Sequence, residues 1–81
     1  MIHLDGNAAA GVLAEVFGGD MTTARETCAH CGGAAVVASV RVYEGGPGTV
    51  LRCPHCDDVL MAIAWTGVYT VDAMGISRIE R

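Results

Sequence analysis

The sequence predicts a small α+β fold that a bound metal ion stabilises, with one amino-terminal helix and an antiparallel β-sheet. Three observations lead to this prediction: apolar residues at helical spacing near the amino terminus, several alternating apolar runs after them, and two C-x-x-C pairs set among those runs. The chain has 81 residues, and the core of so small a domain supplies only about 3–5 kcal/mol of net stability. We therefore expect one metal-stabilised domain over residues 1–81.

The helix is predicted over residues 5–18. Asp5 is the expected N-cap, because its carboxylate can accept a hydrogen bond from a free backbone N–H of the first turn. Gly18 and Gly19 follow the last apolar position, where glycine commonly ends a helix. The apolar positions at helical spacing are Ala9, Val12, Leu13, Val16 and Phe17. This stripe spans only about three turns, so the helix needs a surface to lean on, and we expect that surface to be the protein's own sheet.

Residues 22–80 predict the β-sheet. The expected strands are residues 22–27, 35–43, 49–52, 59–65, 68–71 and 76–79. Residues 35–43 alternate regularly, so they are expected to form one continuous strand. The run of residues 45–48, Gly-Gly-Pro-Gly, predicts a turn, because proline fixes φ and glycine admits positive φ. We expect a single twisted antiparallel sheet with the metal at one end and the helix over one face.

The four cysteines predict the metal site. Cys28 and Cys31 form one C-x-x-C pair, Cys53 and Cys56 form another, and 21 residues separate the two pairs. Two such turns that face each other make a tetrahedral cage of four sulfurs, which suits structural zinc because no position remains open for water. No signal peptide and no apolar run of membrane-spanning length is seen, so we expect a cytoplasmic protein whose thiols stay reduced. This favours one zinc site over two disulfides.

The residues around the cysteines support this site. Gly32 follows the first pair and Asp57 the second, and a left-handed backbone there would let amide protons reach the sulfurs. Pro54 stiffens the second turn. His30 and His55 lie inside the turns, but the cysteines already complete the coordination sphere, so we expect exposed imidazoles beside it. His3 is expected to be a surface residue.

The chain resembles a family of small uncharacterised actinobacterial proteins in three places. They are residues 4–17, which begin Leu-Asp-Gly-Asn-Ala-Ala-Ala-Gly, the first C-x-x-C pair, and residues 42–56. That family is known only as a domain of unknown function. The resemblance implies a zinc-ribbon-like fold and a bacterial cytoplasm, and it implies no activity. The paired turns also resemble those of zinc ribbons and rubredoxins in general, although the aromatic-rich core usual in rubredoxins is missing.

Composition favours a non-catalytic interaction module. The hydrophobic fraction is 52%, which reflects either apolar surface outside the monomer's core, and hence a homodimer or a protein partner, or simply the chain's many alanines and valines. We find no serine with a paired base, no phosphate-binding glycine loop and no small-molecule substrate site, so an enzyme is not expected.

Two other functions stay open from the sequence. A nucleic-acid-binding ribbon would use Arg41, Arg52 and Arg25, with Tyr43 or Trp65 stacking on bases. The charge opposes it, since four thiolates and one divalent ion take the formal net charge from −4 to −6. A rubredoxin-like electron carrier would hold iron in place of zinc at the same four sulfurs, and ligand type alone does not exclude it.

Overall fold

The computed structural model describes residues 4–46 and 48–81 of the chain. Within these ranges there are one α-helix and eight strands, and all strand pairs are antiparallel. The elements are β1 (Leu4–Asp5), α1 (Ala10–Phe17), β2 (Arg25–Cys28), β3 (Ala34–Val36), β4 (Arg41–Gly45), β5 (Gly48–Arg52), β6 (Val59–Trp65), β7 (Tyr69–Asp72) and β8 (Ile76–Glu80). In the described ranges no helix has the length and apolar character needed to cross a membrane. The prediction for His3 lies outside these ranges.

The strands form two sheets, so the expectation of a single sheet was wrong. The larger sheet has the order β1-β4-β5-β6-β7, and the smaller has the order β3-β2-β8. The first cysteine pair begins at Cys28, the last residue of β2 in the small sheet, and the second pair follows β5 of the large sheet. The candidate metal site therefore lies where the two sheets meet.

The predicted strand over residues 35–43 is interrupted, which also corrects the sequence prediction. A short 3₁₀ helix, Val37–Ser39, separates β3 from β4. The hydroxyl of Ser39 donates to the carbonyl oxygen of Val36 at 2.8 Å, a local bond that competes with strand pairing. The interruption carries the chain from one sheet to the other. It also turns both Val37 and Val40 into the core, which an unbroken strand could not do.

Helical structure covers nearly all of the predicted range, but its first part, Gly6–Ala9, is a 3₁₀ helix and the α-helix begins only at Ala10. Asp5 is the N-cap, as predicted, and its carboxylate accepts a hydrogen bond from the backbone N–H of Asn7 at 3.1 Å. It caps a 3₁₀ helix, Gly6–Ala9, which leads into α1. Gly18 ends α1 with a φ of 80°, the left-handed conformation that favours glycine.

Helix α1 covers one face of the larger sheet. Its buried Leu13 joins the core with Val42, Leu51 and Ile63, which the strand register places on the same face. The register shifts between β5 and β6, where Leu51 faces Met61 but Arg52 faces Val59. Such a bulge lets two consecutive residues of one strand turn inward. Leu60 and Met61 are accordingly both buried.

Candidate metal centre

The two cysteine turns have the same backbone structure. In the first turn, the N–H of Gly32 donates to the carbonyl of Cys28 at 3.0 Å, and the N–H of Cys28 donates to the carbonyl of Gly33 at 2.9 Å. In the second turn, the corresponding bonds run from Asp57 to Cys53 at 2.9 Å and from Cys53 to the carbonyl of Asp58 at 2.8 Å. The repeated C-x-x-C motif therefore folds into two equivalent loops.

The residue after each turn has a left-handed backbone, as predicted. Gly32 has a φ of 76°, and Asp57 has a φ of 65°. Among the described residues other than glycine, Asp57 alone has a positive φ. Asp tolerates this conformation better than most residues because its short side chain can bond locally. Short-range sequence patterns are therefore enough to predict both loops.

The four sulfurs lie at the separations that a metal ion requires. Cys28 Sγ is 3.7 Å from Cys56 Sγ, and Cys31 Sγ is 3.8 Å from Cys53 Sγ. All four sulfur atoms lie within 4.8 Å of one another. A tetrahedral site with metal–sulfur bonds of about 2.3 Å has sulfur–sulfur edges of about 3.8 Å. The donor set and its size therefore fit a single tetrahedral metal ion.

Burial differs between the two cysteines of each pair. Cys28 and Cys53 are buried, whereas Cys31 is exposed and Cys56 is half-buried. The first cysteine of each pair therefore joins the site to the core, and the second brings it to the surface.

Backbone amides point toward the sulfurs. The N–H of His55 donates to Cys53 Sγ at 3.3 Å, and the N–H of Gly33 donates to Cys31 Sγ at 3.4 Å. The N–H of Cys31 donates to Cys28 Sγ at 3.5 Å and lowers the pKa of that thiol. Hydrogen bonds of this kind stabilise thiolates, which are the form that binds metal.

The neighbouring thiols oppose the ionisation of Cys56 in particular. The backbone N–H of Asp58 favours the Cys56 thiolate, but burial and the three neighbouring thiols outweigh it and raise the pKa of Cys56 to about 12. Four adjacent thiolates repel each other strongly without a cation between them. A cation bound between the four sulfurs would therefore reduce this repulsion.

Comparison with known proteins identifies the family. Residues 1–80 match a family of unknown function, DUF6510. The chain belongs to this family. Searches of curated proteins and of solved structures found no match. The family therefore carries the expected description, a domain of unknown function.

The two histidines of this DUF6510 protein connect its cysteine turns. His30 of the first turn has its Nε2 3.0 Å from Oδ2 of Asp58, which follows the second turn. His55 of the second turn has its Nε2 3.2 Å from the carbonyl oxygen of Ala34, which follows the first turn. The cluster of metal-ligating side chains in the described residues consists of the four cysteines alone. The histidines thus make contacts around the site that sequence analysis did not predict.

Two arginines of the larger sheet contact the second turn. Arg41 lies 3.3 Å from the carboxylate of Asp57, and Arg52 donates to the backbone carbonyl of Asp57 at 2.9 Å. The guanidinium of Arg52 also lies over the ring of Tyr43, 5.6 Å from its centroid. Two of the three arginines that a nucleic-acid interface would use, Arg41 and Arg52, therefore contact the scaffold of the candidate metal site in this DUF6510 protein.

Sequence analysis missed a buried acid beside the site. Glu26 of β2 is only 1% exposed, and neither carboxylate oxygen has a hydrogen-bond partner among the described residues. Burial raises the pKa of its carboxyl, and the nearby His55 partly offsets this. A signal was present in the sequence, because Ala24, Glu26 and Cys28 alternate along the chain and Cys28 has to face inward to bind metal.

A pair of glycine substitutions tests the loop geometry. Gly32→Ala should lower the free energy of unfolding by about 1–2 kcal/mol, because an L-residue at positive φ is strained even where its Cβ has space. Gly11→Ala is the matched control in α1, where an added Cβ also meets no atom within 4 Å. It should instead raise the free energy of unfolding by about 0.5–1 kcal/mol. Urea unfolding of both variants measures the two effects, and equal signs would contradict the assigned backbone.

Proposed function

We propose that this protein is a non-catalytic, zinc-ribbon-like module in which Cys28, Cys31, Cys53 and Cys56 hold one structural zinc ion, and that it serves in protein–protein association. The observation that carries the zinc proposal is the closed set of four sulfurs at tetrahedral spacing. Four thiolates leave no open position for a substrate or a catalytic water. A bacterial cytoplasm, where such thiols stay reduced, is part of the proposal.

The association role is supported by apolar surface on one hairpin. Strands β6 and β7 form an antiparallel pair, and β7 is an edge of the larger sheet with all four of its residues exposed. We call four exposed apolar residues toward the turn of this hairpin the hairpin patch, and its members are Trp65, Val68, Tyr69 and Val71. Trp65 is 53% exposed and Val68 is 66% exposed. Large apolar groups gathered beside a free strand edge are typical of interaction surfaces.

Metal content and mass in solution test this proposal. We expect about one zinc per chain in tag-free protein prepared without chelators, measured by plasma mass spectrometry. Size-exclusion chromatography with light scattering should show a dimer or a larger assembly. Val71→Asp, which places a charge in the hairpin patch, should shift the protein toward the monomer, and Val36→Asp is the control on an exposed strand residue of the other sheet. A metal-free protein would contradict the zinc proposal. A wild-type protein that is already a monomer, with the same mass in Val71→Asp, would contradict self-association.

A second candidate function is electron transfer through iron at the same four sulfurs. The observation that favours it is the exposure of Cys31, which brings one ligand of the site to the surface, together with the N–H···S bonds that tune the potentials of such centres. An absorption spectrum distinguishes the two metals, because zinc bound by thiolates has no visible band whereas a ferric site is red. The nucleic-acid alternative stays a prediction, and fluorescence anisotropy with single-stranded and duplex probes at low salt tests it.

A further inference from the structure

A surface cleft lies on the same face of the larger sheet as α1. The cleft has a volume of about 210 Å³ and lies between α1, the β4–β5 turn and the β6–β7 hairpin. Its lining includes Val12, Glu44, Ile63, Trp65 and Tyr69. It is separate from the four cysteines, none of which lines it.

Two aromatic rings form one wall of the cleft. Trp65 and Tyr69 are directly opposite each other on β6 and β7. Their ring centroids are 4.7 Å apart, and the ring planes are inclined by 57°. The hydroxyl of Tyr69 donates a hydrogen bond to the carboxylate of Glu15 on α1, which holds the ring against the helix. The wall is therefore positioned by two elements rather than by the hairpin alone.

The charge around the cleft is negative. Glu44 lines it, and Glu15 stands behind Tyr69. No lysine or arginine is among the described residues that line the cleft, and Glu44 has no ion pair with another described residue. The whole chain also carries a formal net charge of −4. Aromatic faces beside an uncompensated carboxylate attract organic cations, through the ring quadrupole and through direct charge.

We propose that this cleft binds one arginine side chain of a basic segment of a partner protein. A guanidinium stacks on aromatic faces and donates to carboxylates, so it matches both features of the lining. The volume favours a single side chain, because pockets for complete small-molecule ligands usually measure about 300–1,000 Å³. Val68 and Val71 of the hairpin patch adjoin the cleft along the hairpin and offer apolar surface to the rest of the segment. The inference rests on the proposed role in association and specifies the chemistry of the partner. Because Trp65 and Tyr69 also belong to the hairpin patch, the basic segment and a second copy of the chain compete for this surface.

Tryptophan fluorescence provides a direct test, since Trp65 is the only tryptophan of the chain. The metal-loaded protein is titrated with the peptide acetyl-Gly-Arg-Gly-amide at constant ionic strength, and with the same peptide carrying the neutral isostere citrulline. We expect a saturable change with the arginine peptide and a dissociation constant about fivefold or more higher with citrulline. Equal responses to both peptides, or no saturable response, would overturn the proposal.

Two variants locate the binding. Glu44→Gln removes an exposed charge from the cleft and should weaken arginine-peptide binding by about threefold to tenfold. Glu80→Gln is the matched control, because Glu80 is an exposed acid of the other sheet that pairs with Arg78. A wild-type affinity in Glu44→Gln, or an equal loss in Glu80→Gln, would refute the assignment to the cleft. Metal content and light scattering on the same samples show separately whether the zinc site or self-association fails.

Discussion

Replacing Cys53 by serine should abolish the cooperative unfolding transition of this protein. Cys53 is the most completely buried of the four cysteines, and its sulfur is within 4.8 Å of the other three. Structural zinc supplies an apparent free energy of about 10–16 kcal/mol at neutral pH, whereas the core of so small a domain supplies only about 3–5 kcal/mol. A fold that loses one ligand therefore loses more stabilisation than the core can replace.

The experiment combines metal analysis with thermal unfolding followed by circular dichroism. Ala29→Ser is the control, because it adds a hydroxyl at an exposed position of the other cysteine turn without removing a ligand. We expect it to keep the metal and to change the free energy of unfolding by less than about 0.5 kcal/mol. A chelator added to the wild-type protein should reproduce the Cys53→Ser result. If Cys53→Ser keeps both the metal and the wild-type unfolding transition, metal binding at this site does not stabilise the fold.

Replacing Glu26 by methionine should stabilise the protein. The carboxylate of Glu26 is buried among apolar side chains of the core, including Leu13, Val37 and Leu60, and has no hydrogen-bond partner in the described residues. Methionine has a similar volume and removes the desolvation cost of this unpaired buried carboxyl, so the free energy of unfolding should rise by about 1–3 kcal/mol. Urea unfolding at neutral pH measures the effect. Glu80→Met, at an exposed acid, is the control and should change stability by less than about 0.5 kcal/mol.

The effect of Glu26 depends on pH in a defined direction. Burial raises the pKa of this carboxyl in the folded protein. Between its ordinary pKa and that raised value, the folded state binds more protons than the unfolded state, so stability falls as the pH rises. The advantage of Glu26→Met over the wild type should therefore grow across this window and level off above it. A difference between the two proteins that stays constant with pH would contradict a raised pKa. Because both proteins keep the same cysteines, comparing them at each pH separates this effect from metal loss.

The sequence predicted the parts of the candidate site that depend on short-range rules. Each C-x-x-C turn is a local structure, and the left-handed positions of Gly32 and Asp57 follow from the conformational freedom of those two residue types. The N-cap at Asp5 is likewise decided by a hydrogen bond between residues two apart. Sequence analysis also indicated that the two pairs would meet, because four thiolates in a short chain have a common use as metal ligands.

Only the tertiary structure decided how the strands are divided and what surrounds the site. Residues 35–43 alternate as one strand would, but the chain has to pass from the small sheet to the large one, and it breaks at Val37–Ser39. The partners of His30 and His55 lie more than twenty residues away along the chain, so no local pattern contains them. The same holds for the aromatic cleft, whose walls come from a helix and two hairpins. Local preferences act between neighbours in the sequence, whereas these contacts exist only after distant segments have packed.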